Sequence, residues 1–144
     1  AGQENFRCIT RAYFRSAACT LLVFDVTCRE SFSSVHMWLN ELRATSPHSQ
    51  VVLVGNKIDK SGRQILSEEG NEFAKENKIP YIETSTLTGE NVTVAFELCA
   101  EVFIGGLENG DVELTQFYGG VVDSSCKTVR SMSMYNKKKS SCCM

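Results

Sequence analysis

Two nearly unbroken apolar runs, Cys19-Thr20-Leu21-Leu22-Val23-Phe24-Asp25 and Val51-Val52-Leu53-Val54-Gly55-Asn56, constrain the fold of this chain more than any other feature. Each is too short for a buried helix and closes on a polar residue, the pattern of a strand covered on both faces. Between them Phe32, Val35, Trp38, Leu39 and Leu42 recur at helical spacing, and Thr27 with Glu30 predicts a capping box ahead of that helix. The unit is strand, helix, strand.

The alternation continues downstream. Ser67-Glu68-Glu69 supplies an N-cap residue and first-turn acids for a second helix through Phe73 and Ala74 to about Asn77. Ile79-Pro80-Tyr81-Ile82-Glu83 reads as a third strand. Asn91 then caps a helix whose apolar face is expected to carry Val92, Ala95, Phe96, Cys99 and Phe103. The order βαβαβα predicts an α/β fold with a parallel sheet, in which ligands gather beyond the carboxyl ends of the strands. Those ends carry Asp25, Asn56 and Glu83-Thr84-Ser85. Periodicity fades after Ile104-Gly105-Gly106, so residues 105–144 are expected to form a flexible tail.

The charge divides along the same lines. The net charge of −2 hides a body, residues 1–123, holding all 17 acidic residues against 10 basic ones, and a tail with Lys127, Arg130, Lys137, Lys138 and Lys139 and no acid. An acidic body argues against nucleic-acid binding, while a basic terminus suits an anionic membrane surface. The seven cysteines lack the spacing of a disulfide framework or a zinc site, which favours a reducing compartment. Cys19 and Cys99 are read as small core residues.

Two polar segments follow strands. In Gly55-Asn56-Lys57-Ile58-Asp59, the Asp59 carboxylate can accept two hydrogen bonds from the N1–H and N2–H edge of guanine, which adenine does not offer. The Asn56 amide can bridge base and loops, and the Lys57 stem can cover the ring. In Glu83-Thr84-Ser85-Thr86-Leu87-Thr88-Gly89-Glu90-Asn91, backbone N–H groups can donate to guanine O6 and Ser85 can brace their loop. A lone N-K-x-D is a weak signal, and a capped turn explains it equally well. The two segments together, at this spacing, resemble the N-K-x-D and E-T-S-A-K motifs of the Ras superfamily of small GTPases. Leu87 stands where that family often has Lys.

The two termini extend the resemblance to the Rab branch. Ala1-Gly2-Gln3-Glu4-Asn5-Phe6-Arg7 looks like the end of a D-T-A-G-Q-E segment running into switch II. The resemblance implies that Ala1 and Gly2 lie at the γ-phosphate and that Gln3 positions the attacking water, a role given to Gln in related GTPases, where positioning and electrostatics supply the catalysis. It implies that Phe6 and Tyr13 face effectors and regulators; Phe14 stands among the same switch II aromatics, and packing on the sheet is an equal reading for it. Cys142 and Cys143, behind Lys137-Lys138-Lys139, resemble the paired prenylated cysteines of Rab tails. The ordinary C-a-a-X box is absent because Ser141 occupies its Cys position. A lipid with a polybasic patch anchors stably where one chain alone binds marginally.

The resemblance therefore implies a three-layer P-loop NTPase fold of Ras type, with residues 1–104 a partial GTPase domain and 105–144 a hypervariable tail. It implies GTP and GDP as ligands, held by Ala1, Gly2, Asn56, Lys57, Asp59, Ser85, Thr86 and Leu87. It also implies effectors, an exchange factor, a GTPase-activating protein, a prenylation escort and a GDP-dissociation inhibitor as partners. The implied location is the cytoplasmic face of intracellular membranes, with early or recycling endosomes suggested by Leu87-Thr88-Gly89-Glu90-Asn91-Val92, and the cytosol on extraction. Neither a G-x-x-x-x-G-K-[ST] loop nor a switch I Thr is present, so the Mg²⁺ ligands are not among these residues, and on the order of 60 residues are expected upstream. The 144-residue chain alone is expected not to bind GTP measurably, to expose the Cys19–Asp25 strand as an edge and, in consequence, to be poorly soluble. The alternative function is a truncated, Rab-like binding protein that engages partners without nucleotide.

Overall fold

A computed structural model of the protein describes residue 14 and residues 17–113. Three parallel strands, β1 (Cys19–Asp25), β2 (Gln50–Asn56) and β3 (Tyr81–Thr84), lie in the order β1-β2-β3. Cys19 pairs with Gln50 and Asp25 with Asn56 across the first ladder, and Leu53 pairs with Tyr81 across the second. Helices α1 (Arg29–Ser33), α2 (Val35–Thr45), α3 (Ser67–Asn77) and α4 (Val92–Asn109) complete the order. The apolar runs thus form strands, and alternation sends successive side chains to opposite faces.

One face is closed by α1, α2 and α3. Phe24, Val26 and Leu53 pack there with Val35, Ile65 and Ala74, and Leu39, Leu42 and Val51 form a contiguous cluster. Phe14 joins the second cluster, as the packing expectation for it requires. The opposite face carries Val52 and Val54, covered by Ala95, Cys99, Leu98 and Val102 of α4. At the edge of the sheet β1 has one strand neighbour among the described residues, and Val23 is 54% exposed.

Several local expectations change. The helix after β1 is two helices, broken at Ser34, because the hydroxyls of Ser33 and Ser34 donate to the carbonyls of Arg29 and Glu30 and compete with the backbone ladder. Cys28, not Thr27, is the N-cap residue; Thr27 instead donates through its N–H and hydroxyl to Asp25 Oδ1, at 2.8 and 2.7 Å. Ser67 is the first residue of α3 rather than its cap, and the Glu69 carboxylate accepts the Leu66 N–H at 3.1 Å. Strand β3 starts at Tyr81, with Pro80 contributing its carbonyl to the Leu53 N–H.

The last helix differs most. Phe96 is 63% exposed, so it is not a core residue; the buried stripe passes through Ala95 and Cys99 instead. Helix α4 does not end near 104 but continues through Gly105 and Gly106 to Asn109. The buried Val112 then folds back, its N–H donating to the Gly106 carbonyl at 3.1 Å. A Cβ at Gly106 would lie 2.9 Å from Val112, so this glycine is what admits the return. The expected boundary at 104/105 therefore falls inside a helix, because glycines tolerated in a packed helix look like a linker in sequence. Cys19 and Cys99 are not separate core thiols either: their sulfurs are joined in a disulfide, with Cα atoms 6.1 Å apart across a separation of 80 residues. Spacing along the chain does not reveal a strand-to-helix contact of that range.

Candidate functional site

The carboxyl ends of all three strands converge on one polar constellation. Asn56 ends β2, and its side chain spans to the loop after β3: Oδ1 accepts the Thr84 hydroxyl and the Thr86 N–H, each at 3.2 Å, while Nδ2 reaches Thr86 Oγ1 at 3.4 Å. Ser85 is fully buried. Its hydroxyl donates to Asp59 Oδ1 and accepts the Thr88 N–H at 3.1 Å, so a single side chain joins the two loops and shapes the second one. The Ser85 carbonyl accepts the Gly89 N–H, and the Ser85 N–H donates to Glu90. Asn91 does not cap α4 through its side chain; Nδ2 donates to the Glu83 carbonyl at 2.9 Å and fastens the far end of the loop.

Lys57 adopts φ +71°, the left-handed region that a non-glycine residue enters at a cost of roughly 1–2 kcal/mol. Its ammonium bonds the Asp25 carboxylate at the end of β1. Burial pushes the Asp25 carboxyl up, but the hydrogen bonds from Lys57 and Thr27 outweigh it and hold the group at about 2. Asp25 is thus ionised at neutral pH and keeps the Lys57 head at the end of the sheet.

Behind the pocket lies a second network. Arg63 makes a forked pair with Glu83, at 2.7 and 2.8 Å, and Glu83 Oε1 also accepts from the hydroxyls of Ser67 and Tyr81, at 2.7 and 2.8 Å. The hydrogen bond from Arg63 is the chief cause that holds the Glu83 carboxyl at about 2, against the opposing effect of burial. Burial, aided by Glu83, pushes the Tyr81 phenol up. The Tyr81 ring lies over Gly70 and its hydroxyl close to Gly55; a Cβ would come within 2.5 Å of the ring at the first and 2.6 Å of the hydroxyl at the second. Arg63 belongs to the loop that follows Asn56, and Glu83 opens the segment containing Ser85, so the pair ties the two segments together. Tyr81 and Glu83 were recognisable as same-face neighbours two apart on a strand. Nothing in the spacing marked Arg63 as their partner.

Of the residues assigned from sequence, Asn56, Lys57, Asp59, Ser85, Thr86 and Leu87 are brought together, Leu87 being 82% exposed at the loop tip. The Thr86 N–H is bonded to Asn56 Oδ1. Ala1, Gly2, Gln3, Phe6, Tyr13, Cys142 and Cys143 lie outside the described residues. Among the described residues no cluster of His, Cys, Asp and Glu is placed to hold a metal ion. Nor is any described helix long and apolar enough to cross a membrane.

Residues 1–104 match the family model described as Ras family. The chain belongs to that family. This Ras-family chain is 41% identical over 134 residues to the human Ras-related protein Rab-4B, an overlap covering 90% of the chain and 63% of the relative. It is 39% identical over 135 residues to the zebrafish (Danio rerio) Ras-related protein Rab-4A, covering 91% of the chain and 63% of the relative. The chain therefore spans less than two thirds of the length of these relatives. The parallel sheet flanked by helices agrees with the Ras-like fold expected from the motifs.

Proposed function

We propose that this chain is the guanine-recognising portion of a Rab-type small GTPase, a GTP-hydrolysing switch of vesicle traffic held on endosomal membranes. The observation that carries the reading is the bond from the buried Ser85 hydroxyl to Asp59, made while Asn56 spans the same two loops. One carboxylate oxygen is thereby fixed and the carboxylate plane set, which is what two parallel hydrogen bonds from a guanine edge require. Leu87 N–H is the donor for the base O6, and the Lys57 stem is the ring cover. The similarity to Rab-4B and Rab-4A supports the Rab assignment and the recycling-endosome location.

In the whole protein Ala1 and Gly2 approach the γ-phosphate, Gln3 orients the hydrolytic water, and Phe6 and Tyr13 meet effectors and regulators. Mg²⁺, when bound with the nucleotide, neutralises charge on the phosphates, and none of its ligands is proposed among these residues. Cys142 and Cys143 carry prenyl groups that, with the basic tail, hold the membrane.

Base recognition is tested in the whole protein by nuclear magnetic resonance titration with guanosine and adenosine nucleotides. Guanine-selective shifts at the Asn56, Asp59, Ser85 and Leu87 amides are expected. Equal responses to both nucleotides would refute the base site. Replacing Asp59 with Asn should shift preference from guanine to xanthine, because an amide pairs with the 2-carbonyl that xanthine substitutes for the guanine amino group. Catalysis is tested in the whole protein, where Gln3→Leu is expected to raise the GTP-bound fraction in cells.

A further inference from the structure

The disulfide between Cys19 and Cys99 joins the first strand to the helix that covers one face of the sheet. Cys19 opens β1, the strand with one described neighbour, and is only partly buried; Cys99 lies midway along α4 at 9% exposure, among Val52, Val54 and Ala95. Helix α4 is the one described helix packed on that face of the sheet, and its neighbouring side, at Phe96, faces an apolar groove floored by Leu21, Val23 and Val54. The Cα separation of 6.1 Å lies in the ordinary range for a bridge, so the backbone needs no movement to form it. Cys28, by contrast, is a free thiol.

We propose that Cys19 and Cys99 are a reversible oxidation site, a clasp that fastens α4 to β1 when the surroundings become oxidising and releases it when they are reducing. The co-substrate is a low-molecular-weight disulfide such as oxidised glutathione. The more accessible Cys19, as thiolate, attacks one sulfur of that disulfide, expelling one glutathione thiolate and forming a mixed disulfide. Cys99 then loses its proton and attacks the Cys19 sulfur, expelling the second glutathione. Two protein thiols give up two electrons and two protons, and one glutathione disulfide becomes two glutathione thiols. The clasp closes a loop of 80 residues that contains both halves of the candidate base pocket. Helix α4 also begins directly after the 85–91 loop, so clasping holds the helix from which that loop departs.

The test uses the whole chain equilibrated in glutathione buffers from fully reduced to fully oxidised, followed by thiol alkylation and peptide mass mapping. Cys19 and Cys99 are expected to lose alkylation together and appear in one cross-linked peptide pair, while Cys28 stays alkylated. Amide hydrogen exchange across residues 92–109 is expected to slow on the order of tenfold or more in the clasped form and to recover on reduction. Cys19→Ser should abolish both changes, and Cys28→Ser should leave both intact. Independent alkylation of Cys99 at every buffer ratio, a Cys19 link to a different cysteine, or identical α4 exchange in the two redox states would each overturn the proposal.

Discussion

Phe24 and Val23 are neighbours on one strand, 2% and 54% exposed, and they report the two faces of the sheet. Toward α1, α2 and α3 the sheet is sealed: Leu53, Leu39, Val26 and Ile65 are fully buried, and the ion pair between Arg29 of α1 and Glu69 of α3 runs across the rim. Toward α4 the same apolar composition is half covered, with Val23, Val94 and Phe96 left in contact with solvent. Burial therefore depends on what lies opposite a residue and not on its own hydrophobicity. The contrast also separates roles, because the sealed face carries the Arg63, Ser67, Tyr81 and Glu83 network that backs the pocket, whereas the open face carries the cysteine clasp.

The sharpest test of that asymmetry compares Leu53→Ala with Val23→Ala. Leu53 is expected to cost about 2–5 kcal/mol in urea unfolding and Val23 no more than about 0.5 kcal/mol, and similar losses at both would erase the distinction. Gly70→Ala, which drives a Cβ into the Tyr81 ring, should destabilise by about 1–3 kcal/mol and broaden the Tyr81 resonances. Glu83 extends the contrast to pH. Its carboxyl titrates at about 2 when folded against an ordinary 4.5, so its contribution is fully present above 4.5 and is lost as pH falls toward 2. In Glu83→Gln, stability at neutral pH should drop by about 1–2 kcal/mol and the acid dependence over that window should flatten, read by thermal melts at stepped pH.

Ser85→Ala removes the Asp59 and Thr88 bonds at a cost of about 1 kcal/mol and should weaken the guanine-induced shifts more than it lowers the melting temperature. The smallest stability effect is expected from Val23→Lys, within about 0.5 kcal/mol. That variant should nevertheless reduce self-association by light scattering, since a charge on an open edge discourages strand pairing between copies. Undiminished association would show that the β1 edge is not the sticky surface.

Much of this arrangement was legible in the residues alone. The runs at 19–25 and 51–56 declared themselves as strands because a parallel strand buried on both faces has few polar positions, and Asn56, Asp59 and Ser85 were marked as a polar constellation because they fall at or just beyond strand ends. Helix limits were less legible where short polar side chains compete for the backbone, as at Ser33 and Ser34, or where glycines sit within a packed helix, as at Gly105 and Gly106. Arg63 carried no signal at all, since a surface arginine in a loop reads the same whether it forks onto a carboxylate or points to water.

What the sequence determined by itself was local and chemical: the order of strands and helices, the acidic body with its basic end, and the two polar motifs after strands that resemble those of the Ras family, to which the chain belongs. Tertiary structure alone decided which of two equally apolar faces would be sealed, that Glu83 would be held from behind by Arg63, and that Cys19 would meet Cys99. Each of these depends on contacts between elements distant along the chain, and periodicity and composition report a residue's own preference without reporting what packs against it.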